Sequence, residues 1–242
     1  MRLYSELAGW FHLLTAPADY EEEAEEIVRL AEEAGEGELR TLLELGSGGG
    51  NNASHLKRRF ECTLTDLSEE MLELSRGLNP GCEHLAGDMR TLRLGRTFDV
   101  VLAHDAIVYM TTEADLRAAL ETAFVHVRPG GVAIFLPDCT RETLVETTRH
   151  GGHDGDGRSL RYLEWTRDAD PADDTYEVDY LVALREGDAP LRVVHESHVE
   201  GVFARGDWLA WLGQTGFDAA AHDVSVEDGE EGWTAFVGHR SK

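Results

Sequence analysis

Apolar positions along the chain change period repeatedly, and each change predicts an element. Leu3, Leu7, Trp10, Phe11 and Leu14 recur at helical spacing, so the first segment reads as an amphipathic helix. A second helix is expected after Pro17, over residues 20–34, where Ile27, Val28 and Leu30 sit among glutamates. Asp19 is placed to cap it, and Gly35 and Gly37 stop it. From residue 41 onward short apolar runs alternate with helical patterns. TLLEL (41–45), CTLTD (62–66), CEHLAGD (82–88), FDVVLAHD (98–105) and GVAIFLPD (131–138) read as strands. NNASHLKRRF (51–60), SEEMLELSRG (68–77, with Ser68 as N-cap) and EADLRAALETAFVHV (113–127) read as helices. Such βαβ alternation predicts an α/β fold with a parallel sheet covered by helices on both faces.

Beyond Asp138 the pattern turns to period two. HGGHDGDG (150–157) breaks it and reads as a loop; SLRYLEWTR (159–167), TYEVDYLVALR (175–185) and LRVVHESHVEGVF (191–203) then have β character. In the middle one Tyr176, Val178, Tyr180, Val182 and Leu184 alternate with mostly polar neighbours, as in a half-buried strand. DADPADD and EGDAP punctuate these segments as turns. An antiparallel β meander inserted into the main fold is expected. ARGDWLAWLGQTG (204–216) returns to a helix, and FDAAAHDVSV (217–226) and WTAFVGHR (233–240) supply two last strands. The expected organisation is an N-terminal helical cap (1–37), a core domain (38–147 and 204–242) and an inserted substrate or lid subdomain (148–203).

The stretch LLELGSGGGNN, residues 42–52, sets glycines between the first strand and the following helix, where open α/β sheets bind ligands. Asp66 ends the second strand, where a carboxylate can accept hydrogen bonds from ribose hydroxyls. Glycine loop and acid together suggest a nucleoside-containing cofactor. A dinucleotide fingerprint wants G-x-G-x-x-G, but Asn51 stands at the third glycine position, and Glu44 directly before the loop disfavours a pyrophosphate. A cationic ligand fits better: the sulfonium and ammonium of S-adenosylmethionine (SAM) suit a carboxylate-lined pocket.

ELGSGGG, TDLSEEML, GDMRTL, FDVVLAHD and VRPGGVAIF follow one another over roughly residues 39–138, and in this order they resemble the successive motifs of the class I SAM-dependent methyltransferases. The resemblance implies a Rossmann-like, doubly wound, mostly parallel sheet of about seven strands with the last pair reversed. In finer detail the chain is similar to the small-molecule N-methyltransferases that dimethylate amino sugars. Carried over, Glu44, Gly46, Ser47 and Gly48 would hold the methionine end of the cofactor, Asp66 the ribose, and Leu67 the adenine face. Asp88 and Met89 would frame the adenine, with the Asp88 carboxylate near its amino group. Met71 and Tyr4 complete the expected cofactor contacts, and His104 would sit beside the cofactor at the mouth of the site. Blander readings stand beside three of these: a turn-stabilising aspartate for Asp88, a helix cap for Asp66 and a core aromatic on a helix face for Tyr4.

The implied reaction moves a methyl group from SAM to a nitrogen or oxygen of a small polar molecule by in-line displacement. His104, Asp105 and Tyr109, after the fourth strand, are the catalytic candidates. Tyr4, Tyr109, His153 and Asp154 are the substrate-binding candidates, the last two as part of a lid over HGGHDGDG; flexible loop and metal loop are the competing readings of that string. Its pattern is neither an EF-hand loop nor a helical His pair, and no metal site is expected. His195 and His198 fall on opposite faces of their strand. The stretch WLAWL reads as core packing first, with a homodimer contact or a substrate wall as alternatives.

Composition narrows the partners. Hydrophobic content of 42% supports an ordinary globular core. With 47 acidic and 22 basic residues, the net charge of −25 argues against nucleic acid, whose binding rests on basic contacts. The acidity fits a saline habitat or simple solubility equally well. Cys62, Cys82 and Cys139 look like buried, reduced thiols. Neither a signal-peptide core nor a membrane span is read from the sequence, so the expected location is cytoplasmic. Two other classes remain: a SAM- or nucleoside-binding regulatory protein without chemistry, and a nicotinamide oxidoreductase.

Overall fold

The computed structural model describes residues 1–224 and 232–242. The first residues form tight turns that lead through a 3-10 turn (Ala8–Trp10) into α1 (Phe11–Leu14). The helix expected over residues 3–14 is therefore confined to its end. Its apolar spacing serves another purpose: Leu3, Leu7 and Leu13 pack on Leu160, Val182, Leu184 and Val194 of the inserted strands. A second 3-10 turn (Pro17–Tyr20) precedes α2 (Glu21–Ala34). Asp19 accepts from the Ala16 amide at 3.1 Å, bracing that turn and not the helix start itself.

From there β1 (Thr41–Leu45), α3 (Asn51–Leu56), β2 (Glu61–Asp66), α4 (Glu69–Leu78), β3 (Glu83–Ala86), β4 (Phe98–His104), α5 (Glu113–His126) and β5 (Val127–Leu136) follow. The helix α3 stops short of the expected residue 60 because Phe60 turns into the core and Arg59 donates to the Leu39 carbonyl at 2.8 Å. The insertion holds β6 (Thr147–Gly151), β7 (Asp154–Gly155), β8 (Arg158–Arg167), β9 (Thr175–Glu186) and β10 (Arg192–Gly201). Then come α6 (Arg205–Thr215), β11 (Asp218–Val224) and β12 (Trp233–His239). Ser225 and Val226, expected to extend the first tail strand, lie outside the described residues.

Seven strands form the main sheet in the order β11-β12-β5-β4-β1-β2-β3, with β1 to β5 mutually parallel. The last pair is exchanged in space: β12 lies inside, antiparallel to both β5 and β11. On one face Leu43, Val101, Ala103 and Phe135 pack against Leu116 and Leu120 of α5 and Trp208 and Leu212 of α6. On the other, Leu42, Leu64, Val100 and Ile134 meet Ile27 and Leu30 of α2 and Ala53 and Leu56 of α3. This two-faced burial explains why these strands read as continuous apolar runs. Trp208 and Leu212 are buried in that core, with Leu209 and Trp211 packed beside them.

The second sheet is antiparallel, in the order β10-β9-β8-β6, with β7 also on β8. HGGHDGDG is thus not simply a loop. His150 and Gly151 end β6, paired with Leu163 and Tyr162, and Asp154 and Gly155 form β7. Gly152 makes the bend between them at φ +115°, where a Cβ would lie 2.2 Å from the Leu160 carbonyl oxygen. All three cysteines are free, but only Cys62 is fully buried; Cys82 and Cys139 are half-buried.

Candidate active site

Parallel strands end on a common edge, and the order β2-β1-β4 gathers Asp66, the loop after Leu45, and His104 there. A cavity of about 1130 Å³ opens at this edge. The main sheet's loops wall one side; the inner face of the second sheet and the N-terminal segment wall the other.

On the main-sheet side the glycines have specific duties. Gly46, Gly48 and Gly50 adopt φ of +76°, +52° and +77°. A Cβ on Gly46 would stand 2.4 Å from the Ala106 Cβ and 2.9 Å from the Met89 Cε. The loop hangs from β2: the Gly46 and Ser47 amides both donate to the Thr65 carbonyl at 2.8 Å. Asp66 accepts from the Gly48 amide at 2.9 Å and the Ser68 amide at 2.8 Å, so it joins the loop to the start of α4, while Ser68 itself caps that helix. Burial raises the Asp66 carboxyl above its ordinary value, against these backbone donors. Leu67, beside it, is 70% exposed and lines the cavity. Met71 and Met89 line it from buried positions. Asp88 lines it too, but Arg90 grips its carboxylate at 2.6–3.1 Å and holds its pKa below the usual range. Its oxygens are therefore already engaged, a finer point than the adenine contact expected of it.

Four buried side-chain oxygens lining this floor lack partners, on Glu44, Ser47, Asn51 and Asn52. Glu44 is 3% exposed with its Oε2 unbonded, and burial pushes its pKa up to about 8. The Ser47 hydroxyl is likewise without a partner. An unsatisfied buried carboxylate costs free energy unless something completes it.

His104, one of the catalytic candidates, is held between two carboxylates. Its Nε2 lies 2.9 Å from Glu23 Oε2 and 3.1 Å from Asp105 Oδ1. Burial pulls its pKa down, but the Asp105 and Glu23 carboxylates outweigh burial and hold it at about 10. The ring is a cation at neutral pH and ties α2 to the loop after β4. Asp105 sits at φ +31°, rare for a residue with a side chain, and its carboxylate opens into the cavity. Burial raises its pKa, and raises that of the adjacent Asp138 still further, the two carboxyl groups sharing a hydrogen bond.

A hydrogen-bond chain crosses to the second sheet. Tyr4 and Tyr109 hydroxyls meet at 2.7 Å, Tyr109 reaches His198 Nδ1 at 2.9 Å, and His198 Nε2 reaches Glu196 at 3.0 Å. Glu196 also accepts from the Arg2 amide at 2.8 Å. Burial keeps His198 below its ordinary pKa, hence neutral at neutral pH. Nε2–H donates to the carboxylate, Nδ1 accepts from Tyr109, and Tyr109 in turn accepts from Tyr4. The Tyr4 oxygen keeps its lone pairs for the cavity.

His153 and Asp154 are not brought to the cavity. His153 pairs with Asp19 at 3.1 Å and its amide donates to the Leu13 carbonyl; Asp154 pairs with Arg161 at 2.8 Å. His153 thus clasps the N-terminal segment to the second sheet, and Asp154 braces β7 against β8. Among the described residues, no group of His, Cys, Asp and Glu is placed to hold a metal ion. The pattern reading missed Glu23, Asp138, Glu164, His198 and Glu200. A signal for three of them existed: Glu164, His198 and Glu200 share the inward register of Tyr180, Val178 and Tyr176, a polar residue on a buried face.

The sheet order, the glycine loop and the acid at the end of β2 define a Rossmann-like methyltransferase fold, and residues 42–131 match the family model described as a methyltransferase domain. A dTDP-3-amino-3,4,6-trideoxy-alpha-D-glucopyranose N,N-dimethyltransferase of Streptomyces venezuelae is 34% identical over 130 residues, 53% of this chain and 54% of that protein. The chain spans about half the length of the curated relatives it matches. The crystal structure of Streptomyces venezuelae DesVI superposes with a TM-score of 0.83 at 24% identity, covering 97% of this chain and 98% of the other. That of SAM-bound CalS10, an amino pentose methyltransferase from Micromonospora echinaspora, does so at 0.76 and 24%, covering 92% of each. At these identities the two structures establish the fold. Among the described residues no helix is long and apolar enough to cross a membrane.

Proposed function

We propose that the chain is a SAM-dependent methyltransferase acting on a nitrogen of a small polar molecule. The observation that carries this reading is the unpartnered Glu44 carboxylate beneath a glycine loop that only a backbone without Cβ can form. The residues present fit the cofactor. Glu44 would complete its ammonium, Ser47 and the loop amides would hold its amino-acid end, Asp66 would take the ribose hydroxyls, and Leu67 would be covered by the adenine. Bound there, the cofactor supplies a methyl group on a sulfonium, which needs positioning more than activation.

The chain's own work is to deliver an amine with its lone pair free. An amine arriving as ammonium must lose a proton, and Asp105, raised by burial and sharing a hydrogen bond with Asp138, is poised to accept it. The Tyr4 oxygen, set as acceptor by the chain through Tyr109 and His198, would orient a remaining N–H. His104 holds this loop in place and takes no proton. Nitrogen is preferred to oxygen because these groups are acceptors; the relative named above as an N,N-dimethyltransferase supports the same choice. A purely regulatory binder would need only the main-sheet half of the cavity.

Thermal shifts with SAM, its demethylated product and NAD separate the readings: stabilisation by the first two and none by NAD is expected. Radiolabelled methyl transfer across amines and hydroxyl compounds then tests the chemistry. Stabilisation by NAD alone would overturn the reading.

A further inference from the structure

The acceptor side of the cavity carries a charge pattern of its own. Among the described residues the cavity wall presents nine carboxylate side chains against two arginines and one histidine. That is well beyond the ratio of 47 to 22 in the chain as a whole. Solubility or salt tolerance explains acids on a solvated surface, but not Glu44 and Glu200, each 3% exposed and withdrawn from water at a cost in free energy. The cations within the wall are committed. Arg90 is paired with Asp88 and Asp115, and His104 with Glu23 and Asp105. Arg149 stands across the β6–β8 pair from Glu164 and acts on that carboxylate.

Glu200 is the informative residue. It is 3% exposed, lines the cavity, and its Oε2 has no partner, although Tyr176 engages the carboxyl group. Glu164 lies on the same inward face of the second sheet, opposite Tyr180, whereas Glu200 lies opposite Tyr176. These two tyrosines are four residues apart along β9, a spacing of roughly 13 Å at ~3.3 Å per residue. Asp138 approaches from the main sheet. The wall therefore offers separated carboxyl stations along its length and, among the described residues, no uncommitted cation cluster for a phosphate.

We propose that the acceptor is a phosphate-free molecule bearing a second positive charge besides the amine that is methylated, and that this second charge docks on Glu200. The inference rests on the methyltransferase reading and names its substrate class. It sets the chain apart from the curated relatives, whose names give dTDP-linked sugars that carry a diphosphate.

Calorimetry on the full chain saturated with the demethylated cofactor product tests it, with three probes: a free diamino hexose, a free monoamino hexose and a dTDP-linked amino hexose. The diamino sugar should bind about tenfold more tightly than the monoamino sugar, the size of one charge-assisted hydrogen bond, and the dTDP conjugate most weakly. Glu200→Gln should remove that preference while leaving affinity for the cofactor product unchanged, which also reports that the variant is folded. Glu164→Gln, measured in parallel, should lower diamino binding less. Tightest binding of the dTDP conjugate, binding of none of the three, or an unchanged preference in Glu200→Gln would overturn the inference and leave cofactor binding standing. Failure of the cofactor product itself to bind removes the underlying reading and this inference with it.

Discussion

The two walls of the cavity are built by different means. The main-sheet wall is made largely of backbone: a loop pinned by the Thr65 carbonyl, with Asp66 spanning it to α4. Its geometry is set within some thirty residues of chain. The second-sheet wall is made of side chains, Glu164, Tyr176, Tyr180 and Glu200, whose positions depend on pairing between strands far apart in sequence. A backbone wall suits a ligand that never changes, and a side-chain wall suits one that differs between relatives. The contrast predicts that damage to the first wall is large and affects cofactor, whereas damage to the second is smaller and affects turnover.

The largest effect belongs to Gly46→Ala. The left-handed backbone and the overlap with Ala106 should together cost about 2–4 kcal/mol, seen as a lower melting temperature and loss of cofactor binding. Retained affinity would remove the backbone from the explanation. Glu44→Gln comes next and acts with opposite signs. It relieves an unpaired buried carboxylate, so the ligand-free protein should gain about 1–2 kcal/mol at pH 9, while SAM affinity falls about tenfold or more.

The same group sets a pH dependence. Glu44 and Glu200 move from an ordinary 4.5 up to about 8 on folding, and His104 from 6.5 to about 10. In each case the folded state holds the proton longer, so stability is fullest below the unfolded values and is lost as pH rises through the folded ones. Thermal melts of the ligand-free protein should therefore fall steadily from pH 5 to pH 10, with a shallower slope in Glu44→Gln; a flat or rising profile would contradict the burial of these groups.

On the second wall, Tyr109→Phe breaks the chain between Tyr4 and His198. Turnover should drop about tenfold with cofactor affinity unchanged, since both hydrogen bonds of the Tyr109 hydroxyl are lost. Equal loss of both would mean that the two walls are not separable in this way. The smallest effect is expected of His153→Ala. Its pairing with Asp19 is at the surface, so stability should change by less than about 0.5 kcal/mol and turnover not at all.

Legibility in the sequence follows the same division. Both faces of the main sheet are buried, so β1, β4 and β5 announce themselves as apolar runs, and the glycine loop and Asp66 lie on a local strand-loop-helix frame. The roles of Tyr4 and Tyr109 could be guessed singly, but not their bond, which joins residues 105 positions apart. His198 was read only against His195, because nothing local says which face of β10 looks into a cavity. HGGHDGDG misled for a physical reason. Its glycines bend the chain at Gly152, yet the residues on either side find partners on β8, so turn chemistry and strand pairing coexist there. The apolar spacing of Leu3 and Leu7 likewise recorded burial correctly and its geometry wrongly, since a sheet and a helix can satisfy the same positions.

The most direct measurement is calorimetric titration of SAM into the purified chain at pH 7, repeated in two buffers that differ in ionisation enthalpy. Arrival of a cation beside Glu44 should strip its proton, so one-site binding with heat that differs between the buffers is the expected result. No binding heat in either buffer would contradict the account at its base.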